Sequence, residues 1–128
     1  MRDDARVERT GLRRDRRGHL TPQYNWGYPA ALKNAIDHLY REWQGKPVLL
    51  ITYGGHGGGQ CGAQLRIVMG AVGARLTDAM PGLLLARERI VTNDGQIDPA
   101  EDFSAHVEDV KSALAELAAA ELAALTSD

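Results

Sequence analysis

The segment Pro47-Val48-Leu49-Leu50-Ile51-Thr52-Tyr53 is apolar almost without interruption. A strand with one wet face alternates polar and apolar residues. This one does not, so both of its faces need covering. That is the pattern of a central strand in a parallel sheet with helices on either side. The glycine-rich segment Gly54-Gly55-His56-Gly57-Gly58-Gly59-Gln60-Cys61-Gly62 follows directly, and the chain then enters a helix with Leu65, Val68, Met69 and Val72 on one face, closed by Gly73.

Upstream, the apolar positions Leu32, Ala35, Ile36, Leu39, Tyr40 and Trp43 recur at the 3.6 period and predict one helix from Pro29 to Trp43, with Pro29 in its first turn and Gly45 as its cap. Lys33, Asp37 and Arg41 fall on its outer face at i, i+4, i+8. Downstream, residues 74–80 predict a second parallel strand stopped by Pro81-Gly82, Asn93-Asp94-Gly95 a turn, and about Asp102 to Leu125 a long helix with Val107, Val110, Leu114 and Leu117 inward. The order of elements is that of an α/β fold. Two strands make no independently stable sheet, however. The expected neighbour would precede Thr21, where residues 9–20 are too polar for a central strand. The chain reads as part of a domain.

Residues 1–20 carry seven arginines and four acidic residues and show neither period, which predicts an unstructured leader. The interspersed acids argue against a basic arm for nucleic acid, as does the net charge of −2 over the 128 residues. One cysteine, Cys61, permits no internal disulfide and points to a reducing cytoplasm. No apolar run approaches the roughly 18 residues of a membrane span. The four histidines have no metal-ligand spacing, so no metal site is expected.

Between the leader and the first helix lies Thr21-Pro22-Gln23-Tyr24-Asn25-Trp26-Gly27-Tyr28-Pro29. Aromatic residues in a loop need a partner, either a ring-shaped ligand or another subunit. If a strand ends at Thr21, this loop and the one after Tyr53 emerge side by side at the carboxyl ends of parallel strands, where open α/β sheets bind ligands. Aromatic side chains on one loop and approachable backbone amides on the other suit a planar, hydrogen-bonding ring such as a flavin. The Gly57, Gly59, Gly62 spacing with Asp78 downstream also matches a dinucleotide fingerprint, weakly, because three residues separate its first glycine from the strand. His56-Gly57-Gly58-Gly59 is similar to a lipase oxyanion segment, but no G-x-S-x-G accompanies it. Cys61 reads as an inert small residue at a helix start.

Thr21–Asn25, Pro29–Asp37, Gly45-Lys46-Pro47-Val48 and Tyr53-Gly54-Gly55 together resemble the NADPH-dependent FMN reductase family, most densely over Thr21–Val72. The resemblance implies a flavodoxin-like three-layer parallel sheet and an FMN enzyme that passes hydride from NAD(P)H to a small-molecule electron acceptor such as a quinone or flavin. It places Pro22, Gln23, Tyr24, Asn25 and Trp26 on one side of the FMN ring, and Tyr53, Gly54, Gly55, His56 and Gly57 on the other. Gln23 stands where the family usually has Glu. The helix Leu32–Trp43 is similar to the family's subunit interface, which implies a homodimer or homotetramer. The family's first strands and its G-S-x-R-type phosphate loop have no counterpart in residues 1–20. The chain is therefore expected to be the C-terminal portion, residues 21–128, truncated at the N-terminus behind an unrelated leader. The alternatives are a non-catalytic flavodoxin-like remnant and a dinucleotide-binding module using Gly57–Gly62.

Overall fold

The computed structural model describes residues 17–126. Its organising element is β2 (Pro47–Gly54), the strand the apolar run predicts. On one edge β2 pairs in parallel with β1 (Arg17–Pro22), in a register running from Arg17 opposite Val48 to Pro22 opposite Tyr53. The other edge takes two short parallel strands, β3 (Arg75–Leu76) at the start of β2 and β4 (Gly82–Leu84) at its end.

Helix α1 (Ala30–Asp37) and helix α2 (Gly59–Ala71) share one face of this sheet. Val48 and Leu50 point into that face and pack with Ile36, Leu39, Trp43, Cys61, Leu65 and Met69. Leu49 points the other way, against Ala113 and Leu117, with Ile51 beside it. Those two residues belong to a helix spanning Val107–Thr126. Two short helices, α3 (Arg87–Thr92) and α4 (Pro99–Asp102), lie between β4 and that last helix, α5. The result is the three-layer, flavodoxin-like arrangement, and it explains why β2 does not alternate: consecutive residues enter two different cores.

Four expectations need correcting. Residues 17–20 are not leader but the body of β1, and residues 1–16 lie outside the described residues. A polar segment can serve because, among the described residues, β1 pairs on one side alone. Thr21 is buried and His19 packs its ring 5.6 Å from Trp43, while Leu20 is exposed.

The single helix expected over Pro29–Trp43 is two pieces. It ends at Asp37, with Lys33 and Asp37 paired at 2.9 Å, and resumes as a 3₁₀ turn at Arg41–Trp43. The break lets the buried Trp43 indole donate to Ile36 O at 3.1 Å, which a continuous helix would reserve for its own ladder.

The strand expected over 74–80 is split. Thr77 N still bonds to Val48 O, and Thr52 N to Pro81 O, but the chain bows out between them. The Glu116 carboxylate from α5 accepts the N–H groups of Asp78 and Ala79 at 2.6 and 3.1 Å. Pro81-Gly82 therefore restarts the strand rather than stopping it.

Finally, α5 begins at Val107 and turns Ala113 and Leu117 inward, leaving Val107 and Leu114 exposed. Alanine at the contact lets the helix lie close on Leu49, and that sets its rotation. The turn at Asn93-Asp94-Gly95 is present, with φ of 52° at Asp94 and 77° at Gly95.

Candidate functional site

β1 and β2 are parallel, so their exit loops leave the same end of the sheet side by side. The first loop continues the ladder by one bond, Gln23 N to Tyr53 O at 3.1 Å. It then closes as a tight turn in which Tyr24 and Gly27 exchange two backbone hydrogen bonds of 2.9 Å. The central residues, Asn25 and Trp26, both lie in the left-handed region, at φ 47° and 74°. Asparagine tolerates that conformation, whereas for tryptophan it costs about 1–2 kcal/mol.

One side chain and one backbone amide of α2 hold the turn in place. Gln64 Nε2 donates to Trp26 O at 3.0 Å, and the Cys61 N–H donates to Gln23 Oε1 at 3.0 Å. A Cβ on Gly27 would sit 2.8 Å from Gln64 Oε1, so that side chain would have to shift. The strained turn leaves Tyr24 60% and Trp26 64% exposed. Backbone held in such sparsely populated conformations clusters at ligand clamps and active sites.

The second loop divides its glycines by cause. Gly57 and Gly58 have φ of 81° and 78°, and a Cβ on Gly58 would stand 2.6 Å from Thr52 Cβ. Thr52 Oγ1 donates to Gly57 O at 2.7 Å inside the core, and Gly82 backs onto Gly57 so closely that its own Cβ would be 2.7 Å from Gly57 O. Folding alone demands these glycines. Gly55 differs: it is exposed, has no positive φ, and a Cβ would meet nothing within 4 Å. Among the described residues, the amides of Gly55 and His56 donate to no acceptor. A bare, unstrained glycine with unclaimed amides is what close backbone approach to a ligand requires.

The structure thus brings Pro22, Gln23, Tyr24, Asn25 and Trp26 beside Tyr53, Gly54, Gly55, His56 and Gly57 at one end of the sheet. Gly57 is the residue of this set turned into the fold, against Gly82 rather than outward. The same packing weakens the dinucleotide reading, since Gly57 and Gly58 are filled by Gly82 and Thr52, and Gly62 faces Met80. Apart from His56, neither loop carries an acidic or basic side chain. Burial pushes the Cys61 thiol up, and Sγ lies 3.7 Å from Pro22 O, so the residue packs rather than reacts.

Sequence reasoning missed two neighbours. Gln64 straps the turn from 38 residues away, and Phe103 sets its ring edge-on to Tyr53 at 6.2 Å. The single phenylalanine of the chain was a faint signal for the second; the first had none.

Residues 19–80, which hold both loops and the helix and strand between them, match the model of the family described as NADPH-dependent FMN reductase. The chain is related to the NADPH-dependent FMN reductases. It is 54% identical over 97 residues to an NAD(P)H-dependent FMN reductase of Schizosaccharomyces pombe, a match covering 76% of this chain and 48% of that one. It is 70% identical over 50 residues to the NAD(P)H-dependent FMN reductase LOT6 of Saccharomyces cerevisiae, covering 39% and 26%. A quinone reductase of Escherichia coli is 45% identical over 56 residues, covering 39% and 30%. The chain therefore spans about half the length of the Schizosaccharomyces relative and less of the others. Among solved structures, the flavoenzyme NAD(P)H:(acceptor) oxidoreductase FerB of Paracoccus denitrificans superposes with a TM-score of 0.71 at 24% identity, over 94% of this chain and 69% of that one. That likeness is one of fold.

Among the described residues, no helix is long and apolar enough to cross a membrane.

Proposed function

We propose that this chain provides the ring-binding part of an NAD(P)H-dependent FMN reductase. The observation that carries the reading is Gly55, open and unstrained with unclaimed amides, across from an aromatic turn held in a costly conformation. Bound FMN would supply the redox chemistry, taking hydride from NAD(P)H and passing electrons to a quinone, a flavin or a similar acceptor. The chain's own residues bind and orient. Tyr24 and Trp26 cover the ring's apolar surface and keep water from it. The Gly55 and His56 amides approach its polar edge, and Gln23 stands at the seam between the loops. The protein's contribution is orientation and a dry setting.

The test is to mix the purified chain with FMN and pass it through gel filtration. Flavin absorbance travelling with the protein, together with quenching of Trp26 fluorescence that is lost in Trp26→Phe, is the expected result. Gly55→Ala, which the fold accommodates, is expected to weaken retention. A colourless, folded protein would make the chain a non-catalytic flavodoxin-like remnant, and retention of NAD(P)H without flavin would restore the dinucleotide module. The homodimer or homotetramer implied by residues Leu32–Trp43, where Tyr40 is 63% exposed, is measurable by sedimentation in the same preparation.

A further inference from the structure

The outer edge of β1 has no strand beside it among the described residues. Gln23 N–H faces β2, where it bonds to Tyr53 O, and backbone groups alternate along a strand. Those of Gly18 and Leu20 therefore face the open edge. Across the ladder Gly18 is opposite Leu49 and Leu20 opposite Ile51, which puts both positions on the layer that holds α5. There Leu20 is 63% exposed, and a Cβ on Gly18 would meet nothing within 4 Å. Helix α5 adds to this surface. Val107, Leu114, Leu122 and Leu125 are all exposed, and helical spacing sets them on one flank. Glu116 projects half a turn away, into the lane between β3 and β4, so the bare flank leans toward β1. Edge and flank form one continuous apolar step.

We propose that this step docks a second copy of the same chain, about a two-fold axis normal to the sheet. Antiparallel pairing of β1 with its copy, Gly18 opposite Leu20, lets each such pair exchange both N–H···O bonds. Leu20 of one protomer then lies across from the partner's Gly18, whose missing side chain leaves it room. Moving the axis by one residue would set Gly18 against Pro22, which has no N–H to give. The same operation keeps both α5 helices in one layer and turns their bare flanks toward each other. The two β2 strands are then three strand spacings apart, about 14 Å. Helices that each lean inward meet through their leucines, over a floor made by the two Leu20 side chains. Residues 1–16, outside the described residues, offer only Val7 and Leu12 as sizeable aliphatics after Met1, too few to cover this step. A contact of this kind satisfies edge and flank together and closes as a pair. It lies on the opposite layer from Leu32–Trp43 and does not depend on the flavin reading.

Sedimentation velocity of the full chain reads its mass, and Leu20→Lys and Leu122→Glu are the test variants. Both positions are exposed, so both variants are expected to melt close to the wild type. Each is expected to halve the mass of the assembly, because it buries an unpaired charge in the step. A wild type that stays monomeric at about 100 μM, well above the range of specific contacts, overturns the proposal. So does an unchanged mass in either variant, including a dimer that dissolves in Tyr40→Asp alone, which would belong to Leu32–Trp43. Amide hydrogen exchange at Gly18 and Leu20 in the wild type is the second readout, and it decides the matter if a variant fails to fold. Exchange is expected to be slow in concentrated samples and faster on dilution. Protection that does not change with concentration would mean that another segment of the same chain covers the edge, and fast exchange at every concentration would mean that nothing does. Either result rejects the second copy.

Discussion

Replacing Gly58 with alanine tests whether the glycine loop is built by the fold or kept for a ligand. Two costs add. Gly58 has φ 78°, and moving an L-residue into that region costs about 1–2 kcal/mol. The new Cβ would also lie 2.6 Å from Thr52 Cβ, 2.9 Å from Thr52 Oγ1 and 3.1 Å from Tyr53 N, all on the central strand. Thr52 cannot rotate away without losing its buried bond to Gly57 O, so the overlap must be relieved by backbone movement. Overpacking of that kind costs about 1–3 kcal/mol. The total, about 2–5 kcal/mol, is a large part of the roughly 5–15 kcal/mol that holds a domain together. For a chain of this size it corresponds to a fall in melting temperature of roughly 6–25 °C. Gly55→Ala, with nothing within 4 Å, should stay within about 0.5 kcal/mol of the parent. Urea and thermal unfolding of the two variants, followed by circular dichroism, measure the difference. Equal stability of Gly58→Ala and the parent, or equal loss in both variants, would refute the division of the loop into glycines the fold demands and one that it does not.

Three further outcomes follow from single contacts. Glu116→Ala leaves the amides of Asp78 and Ala79 without their shared carboxylate, and it should cost about 1–3 kcal/mol in urea unfolding, more than alanine at the neighbouring exposed Ser112. Asp102 accepts from Asp98 N at 2.8 Å and from Arg89 Nε at 3.0 Å, which together hold its carboxyl below the ordinary range. Because its folded pKa lies under the unfolded one, the group stabilises the fold above the ordinary carboxyl pKa of about 3.9, and that contribution disappears as pH falls through the lowered value. A carbon-detected NMR titration should therefore place Asp102 below the ordinary aspartate value, and Arg89→Gln should raise it part of the way back, since the Asp98 N–H remains. Cys61 is fully buried and its thiol is pushed up, so it should resist a thiol reagent at neutral pH until denaturant is added; immediate labelling of the native chain would contradict the packing described.

What residues alone determined here is what periodicity reports. Pro47–Tyr53 carried the pattern of a central parallel strand because its apolar residues do not alternate and both faces need covering. Its position then put the Thr21 and Gly54 loops at one sheet end if a strand preceded Thr21, and β1 is that strand. The family resemblance rested on the same stretch, and residues 19–80 carry the match. Other features depend on partners far along the chain. Arg17–Pro22 is a strand because β2 offers it a ladder, a property of the neighbour that a polar edge segment does not encode in its own side chains. The helix expected over Pro29–Trp43 breaks because Trp43 finds Ile36 O, and 3.6-periodic spacing is blind to such a bond. The lane beside β2 splits because Glu116 claims two amides from 38 and 37 residues away. The aromatic loop shows the boundary most sharply. Composition marked Thr21–Pro29 as a holder of something flat. Only the tertiary structure, by bringing Cys61 N–H to Gln23 and Gln64 to Trp26 O, holds the turn in its left-handed conformation.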